Sequence, residues 1–174
     1  MTSRPAFVLA VLALCACGQD KQAEKPPPAP YDAAATAQFC GMALGEHRGP
    51  KGQIWLEDQK KPLWFTSVHD TIAFTMLSEE PKNIRAIYVS DMANAPSWAQ
   101  AELGGWVDAE KAFYVVGSGV RDDMGTSEAV PFSARSAAEA YARDHGGRVV
   151  TLKDIPKDQI LDAAADSAST GSEK

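Results

Sequence analysis

Residues 62–77, PLWFTSVHDTIAFTML, change period at their centre. Pro62–Phe65 is a short β-type run. From Ser67 onward the apolar positions Val68, Ile72, Phe74, Met76 and Leu77 fit a helix, with Ser67 and Asp70 spaced as a capping pair. Upstream, Gln53–Leu56 (QIWL) and the turn-like Glu57–Lys61 make a hairpin with Pro62–Phe65, and downstream Ile84–Val89 (IRAIYV) reads as a returning strand. The order strand, strand, helix, strand then recurs. Ala112–Val116 (AFYVV) and Ala129–Phe132 (AVPF) are strand-like, and Ser136 with Glu139 is spaced as a capping box. Helix through Ala137–Tyr141 is stopped by His145-Gly146-Gly147, and Arg148–Leu152 (RVVTL) returns. The junctions Trp64-Phe65-Thr66-Ser67 and Pro131-Phe132-Ser133 are alike. The expected fold is α+β: two ββαβ units packed together, in residues 38–95 and 96–160, with Asp91–Glu110 covering their seam. A helix after a hairpin is common in α+β proteins, so coincidence is the alternative to a duplicated unit.

The chain has 174 residues, 45% hydrophobic and 23% charged, enough for one domain or two small ones. A net charge of −6 with no Lys/Arg-rich run argues against nucleic acid as a partner. Arg4 precedes Ala6–Leu14, an apolar run far shorter than the roughly 20 residues of a spanning helix, so residues 1–16 read as a signal peptide. Its end, Leu14-Cys15-Ala16-Cys17, resembles a bacterial lipobox that would leave Cys17 carrying lipid at the new N-terminus. The alternative is a plain secretory signal cut nearby. Gly18 is not Asp, which by the known sorting rules favours the outer over the inner membrane. Residues 17–37, with Pro26–Pro28, read as a disordered, solvated tether, and 161–174 as a disordered polar tail.

After that processing the chain keeps one thiol, Cys40, in a compartment that oxidises thiols. Such a group is a liability unless it is buried, protected, or used as a soft ligand or nucleophile. It lies in Phe39-Cys40-Gly41-Met42, where a thiolate and a thioether two residues apart are both soft donors suited to Cu(I). The tripeptide alone is equally compatible with a structural Cys beside a core Met. Met124 sits in the polar loop Asp122-Asp123-Met124-Gly125-Thr126, as a gap-filler or as a third sulfur ligand facing Cys40. His47 is near enough to complete the site or to be a solvated loop residue. Met76 reads as core and Met92 as facing either way, while His69 and His145 have structural explanations at helix ends. No G-x-S-x-G, H-E-x-x-H, Walker A or dinucleotide motif is present. A Cys nucleophile with a His base is possible only arithmetically.

With Phe39-Cys40-Gly41-Met42, Gly49-Pro50-Lys51-Gly52-Gln53, Ile87–Met92, Trp98, Tyr114–Ser118, Met124-Gly125, Pro131-Phe132 and His145-Gly146-Gly147 in this order, the chain resembles the NosL family, the accessory lipoproteins of nitrous oxide reductase. The resemblance implies a periplasm-facing Cu(I) chaperone for the copper centres of that reductase in denitrifiers, not an enzyme. Its partners would be the reductase and the ABC-type membrane complex of its maturation machinery. It implies two ββαβ units similar to part of organomercurial lyase, with Cys40 and Met42 as primary ligands, Met124 as the third and His47 as a substitute. The competing readings are a metal-free structural lipoprotein and an organomercurial-lyase-like enzyme.

Overall fold

The structure, a computed structural model, describes residues 24–161. The expected signal peptide, Cys17 and the tail beyond Leu161 lie outside the described residues. Among those described, the elements run β1 (Gly52–Leu56), β2 (Leu63–Phe65), α1 (Val68–Met76), β3 (Ile84–Ser90), β4 (Trp106–Asp108), β5 (Phe113–Val116), β6 (Val130–Phe132), α2 (Arg135–His145) and β7 (Arg148–Thr151). They form two antiparallel sheets, ordered β2-β1-β3-β4 and β6-β5-β7. Without β4 the two orders are the same, and so are the registers. Gly52 pairs with Phe65 and Val89 in the first sheet, as Phe113 pairs with Phe132 and Thr151 in the second. Each helix opens three residues after the paired phenylalanine. The fold is α+β with two ββαβ arrangements, and β4 comes out of the segment expected to cover the seam.

Local sequence explains the two helices differently. Ser67 caps α1 as expected, its hydroxyl accepting the Asp70 N–H at 3.0 Å. The capping box expected at Ser136 and Glu139 is absent. Register fixes the start of α2 at Arg135, so Ser136 falls inside the first turn. The N-cap is Ala134, which makes no side-chain bond, and Glu139 instead lies 3.9 Å from Arg135. Helix α2 is amphipathic and covers one face of the second sheet, with Ala138 against Val115, Val130 and Phe132. Helix α1 is buried over most of its surface because it is the middle layer, its buried positions including His69 and Thr71 beside the apolar ones. Its Phe74 packs on Ile54, Leu56 and Phe65 of the first sheet, while Val68, Ile72 and Ala73 pack with Tyr114, Val116 and Val150 of the second. Met76 joins that core, and Met92 packs beneath the α2 face. Gly52 is required at this layer, since a Cβ there would stand 1.9 Å from Thr71 Oγ1.

The outer face of the first sheet is covered by the chain that precedes it. The tether expected through residue 37 is not free from Glu24 onward; it is a strap crossing the sheet strand by strand. Lys25 Nζ lies 2.8 Å from Asp108 on β4, and Tyr88 Oη on β3 donates to the Pro26 carbonyl at 2.5 Å. On β1, Gln53 accepts the Ala29 N–H at 2.8 Å and donates to the Ala29 carbonyl at 3.1 Å. Ala37 then bridges Trp64 on β2. Asp108, Tyr88, Gln53 and Trp64 form one cross-strand row, so the register presents a line of partners to the extended, proline-fixed segment. Composition alone could not show this row.

One buried carboxyl ties the second unit to α1. Glu128 Oε1 accepts the N–H groups of His69, in the first turn of α1, at 2.8 Å and of Ala129 at 2.9 Å. This satisfies one of the orphan donors of the helix N-terminus from across the molecule. Burial pushes the Glu128 carboxyl up to about 8, with the Asp122 carboxylate adding to the effect.

Two outcomes follow from the strap and from Glu128. A chain beginning at Gln38 will melt at least ~5 °C below one beginning at Glu24 in a thermal scan, because the exposed row loses its partners. Between about pH 5 and 8 the unfolded chain ionises Glu128 while the folded chain keeps it protonated, so this group makes stability fall as pH rises across that window. Glu128→Gln retains the acceptor and has nothing to ionise. Urea unfolding at several pH values will therefore show a smaller loss for the variant than for the wild type.

Candidate metal centre

Cys40 is delivered by the end of the strap. Thr36 bridges Ala43, the Ala37 N–H donates to the Met42 carbonyl at 2.9 Å, and the Gly41 N–H donates to the Ala37 carbonyl at 3.0 Å. The resulting tight loop needs a left-handed residue, supplied by Gly41 at φ 70. Phe39 anchors the loop by packing its ring edge-on against Phe65 (5.5 Å) and close to Phe74 (6.2 Å). Cys40 is half-buried, its Sγ 3.9 Å from Thr66 Oγ1 at the entry to α1.

Met124 arrives from the other unit on a small hairpin. The Glu128 N–H donates to the Val120 carbonyl, Arg121 bridges Ser127, and the Asp122 N–H donates to the Thr126 carbonyl. At the tip Asp122 Oδ1 accepts the N–H groups of Met124 at 3.0 Å and Thr126 at 2.8 Å, an Asx turn that holds the methionine outward. The two loops meet at a cleft of about 200 Å³, with Phe39, Cys40, Met124 and Thr126 in its walls. His69 and Asp70 of α1, with Asp122, complete the lining.

Of the four residues singled out as ligands, Cys40 and Met124 share this cleft. Met42 and His47 do not line it. Met42 is 41% exposed on the far side of Gly41, and the partly buried His47 has a buried Nε2 without a partner among the described residues. Sequence reasoning missed the contribution of α1. His69 is not merely a helix-end residue: it is buried, with Nδ1 3.1 Å from the Ser127 carbonyl, and burial lowers its pKa. Asp70 is pushed up to about 6 by burial and then by the Asp122 carboxylate. The available signal was a histidine and an aspartate opening a helix that carries no other ionisable residue.

Chemically, the cleft offers two soft sulfur donors from distant parts of the chain, beside a histidine and two carboxyls. No group of three or more His, Cys, Asp or Glu residues placed to hold a metal occurs among the described residues. The two sulfur atoms, from Cys40 and Met124, are the soft donors in the cleft's lining. Met124 is 57% exposed, so an ion held there would remain open to an incoming ligand.

Residues 28–160 match the NosL family. The chain is 43% identical over 164 residues to the copper-binding lipoprotein NosL of Achromobacter cycloclastes, covering 92% of this chain and 85% of that protein. It is 29% identical over 159 residues to the copper-binding lipoprotein NosL of Stutzerimonas stutzeri, covering 91% and 82%. These relatives are named as copper-binding proteins rather than as enzymes. The crystal structure of the copper chaperone NosL from Shewanella denitrificans superposes with a TM-score of 0.69 at 30% identity, covering 76% of this chain and 97% of that one. The solution structure of the apo-NosL protein from Achromobacter cycloclastes gives 0.50 at 46% identity, covering 63% and 88%. With a family match across the folded body and relatives of this similarity, the chain belongs to the NosL family.

Proposed function

We propose that this protein is a Cu(I)-binding lipoprotein that delivers copper for the copper centres of nitrous oxide reductase. The observation that carries the reading is the convergence of Cys40 and Met124 on one open cleft from segments far apart in the chain. The relatives support it as named copper-binding lipoproteins and a copper chaperone. Cys40 supplies the thiolate and Met124 a thioether, a donor pair that selects Cu(I) over harder ions. In this reading Met42 turns about Gly41 to supply a further thioether, and His47 is the substitute for Met124. No helix among the described residues is long and apolar enough to cross a membrane. In this reading attachment rests on lipid at Cys17, and the body faces the periplasm from the outer membrane.

Transfer proceeds by ligand exchange. Copper is cargo here, and an exposed two- or three-coordinate ion admits a sulfur or imidazole from the next protein before its first ligand leaves. The recipients are the reductase and the ABC-type membrane complex of its maturation machinery. Because the metal binds the thiolate, loading releases a proton and weakens in acid.

An anaerobic Cu(I) competition titration tests the reading. Cys40→Ser will lose at least ~100-fold in affinity, more than the 10- to 100-fold typical of losing a group that only supports a ligand. Met124→Ala will weaken binding less than Cys40→Ser and more than Met42→Ala. A Cys40→Ser chain that binds one Cu(I) as tightly as the wild type would place the site elsewhere.

A further inference from the structure

The hairpin that carries Met124 is rigid within itself but is moored at separate points. Its tip is internally organised by Asp122, and by Arg121, whose guanidinium donates to the Gly125 carbonyl at 2.6 Å. It can therefore move as a unit. Its base is fixed by Glu128 on α1, deep in the molecule. Its tip is moored by Asp123, the neighbour of Met124. Asp123 Oδ2 accepts the backbone N–H of Arg48 at 2.7 Å, and Oδ1 lies 3.1 Å from the Arg48 guanidinium. Arg48 lies just beyond the short helix Leu44–Glu46 that follows the Cys40 loop, so this contact ties the Met124 hairpin to the segment that carries the thiol. The backbone N–H of Arg48, and then its guanidinium, hold the Asp123 carboxyl below the usual carboxylate range. The Arg48 side chain is 71% exposed and the Asp123 side chain 22%, so the mooring is open to salt.

The geometry points to Arg48 and Asp123 as positioning residues: their contact holds Met124 over the cleft and sets how fast bound Cu(I) leaves. Neither touches the cargo. Breaking the pair frees the tip to hinge about the Glu128 base and carries the thioether away from Cys40. The inference rests on the reading of Cys40 and Met124 as copper ligands. It assigns the rate of release to a contact that a docking protein with a basic or acidic side chain is able to compete for.

The test is the rate at which Cu(I)-loaded chain surrenders the metal, under anaerobic conditions, to a chelator in such excess that the rate no longer depends on its concentration. Arg48→Ala will release copper roughly two- to fivefold faster at low salt, the range an exposed ion pair supports. Asp123→Ala, which also removes the acceptor for the backbone N–H, will release it faster still. Raising NaCl to about 0.5 M will speed the wild type towards the Arg48→Ala rate and leave that variant unchanged, because screening weakens only the intact pair. In a Met124→Ala background, Arg48→Ala will have no further effect, an epistasis that a general loss of stability would not produce. Equal release by wild type and Arg48→Ala, or an effect that persists without Met124, overturns the positioning role while leaving the copper site intact. A wild-type chain that takes up no Cu(I) overturns both readings.

Discussion

The arrangement of the molecule turns on Glu128. One of its two carboxyl oxygens, Oε1, accepts an N–H from the first turn of α1 and an N–H from the entry to β6, fastening the second unit to the helix that both sheets share. Leaving such donors unpaired in the interior would cost about 1–3 kcal/mol each, so the position is strongly constrained. The same fastening fixes the base of the Met124 hairpin next to His69 and Asp70. Core and cleft are thus set by one group. Without that group the base of the hairpin would lose its anchor on α1, and the thioether would be tied to the cysteine side of the cleft mainly through its tip.

The cleft lies where three kinds of local structure meet. A glycine-dependent loop presents the thiol, an Asx turn presents the thioether, and a helix N-terminus forms the floor. Each is stable for local reasons, and none brings two donors together by itself. Soft-metal selectivity then comes from donor type, while accessibility comes from placing one donor on an exposed tip. That combination suits a carrier better than a store, because exchange requires the ion to be reachable.

Much of the fold was legible in the sequence because the signals were local. The change of period at Ser67, the recurrence of strand, strand, helix, strand and the likeness of the two junctions needed no long-range information. The misread pieces all depend on partners that a window of residues does not contain. Glu24–Ala37 has the composition of a solvated linker, yet the row Asp108, Tyr88, Gln53 and Trp64 gives it something to bind. Trp106–Asp108 was obscured as a strand because it is three residues long and lies among turns. Ser136 had capping spacing, but tertiary register placed the N-cap two residues earlier, at Ala134. For the site, donor chemistry drew attention to Cys40 and Met124, and their meeting depends on the packing of one unit on the other. His69 was undervalued because its burial between the sheets is a property of α1 as the central layer.

That central layer also breaks the internal symmetry. In the first sheet the face turned away from α1 receives the strap, and the strap ends in the cysteine loop. In the second sheet the corresponding face, carrying Tyr114 and Val116, is already filled by α1, so no second strap has room to lie there. A duplicated framework therefore yields a single sulfur-bearing mouth, and the folded body has a stoichiometry of one thiol per polypeptide.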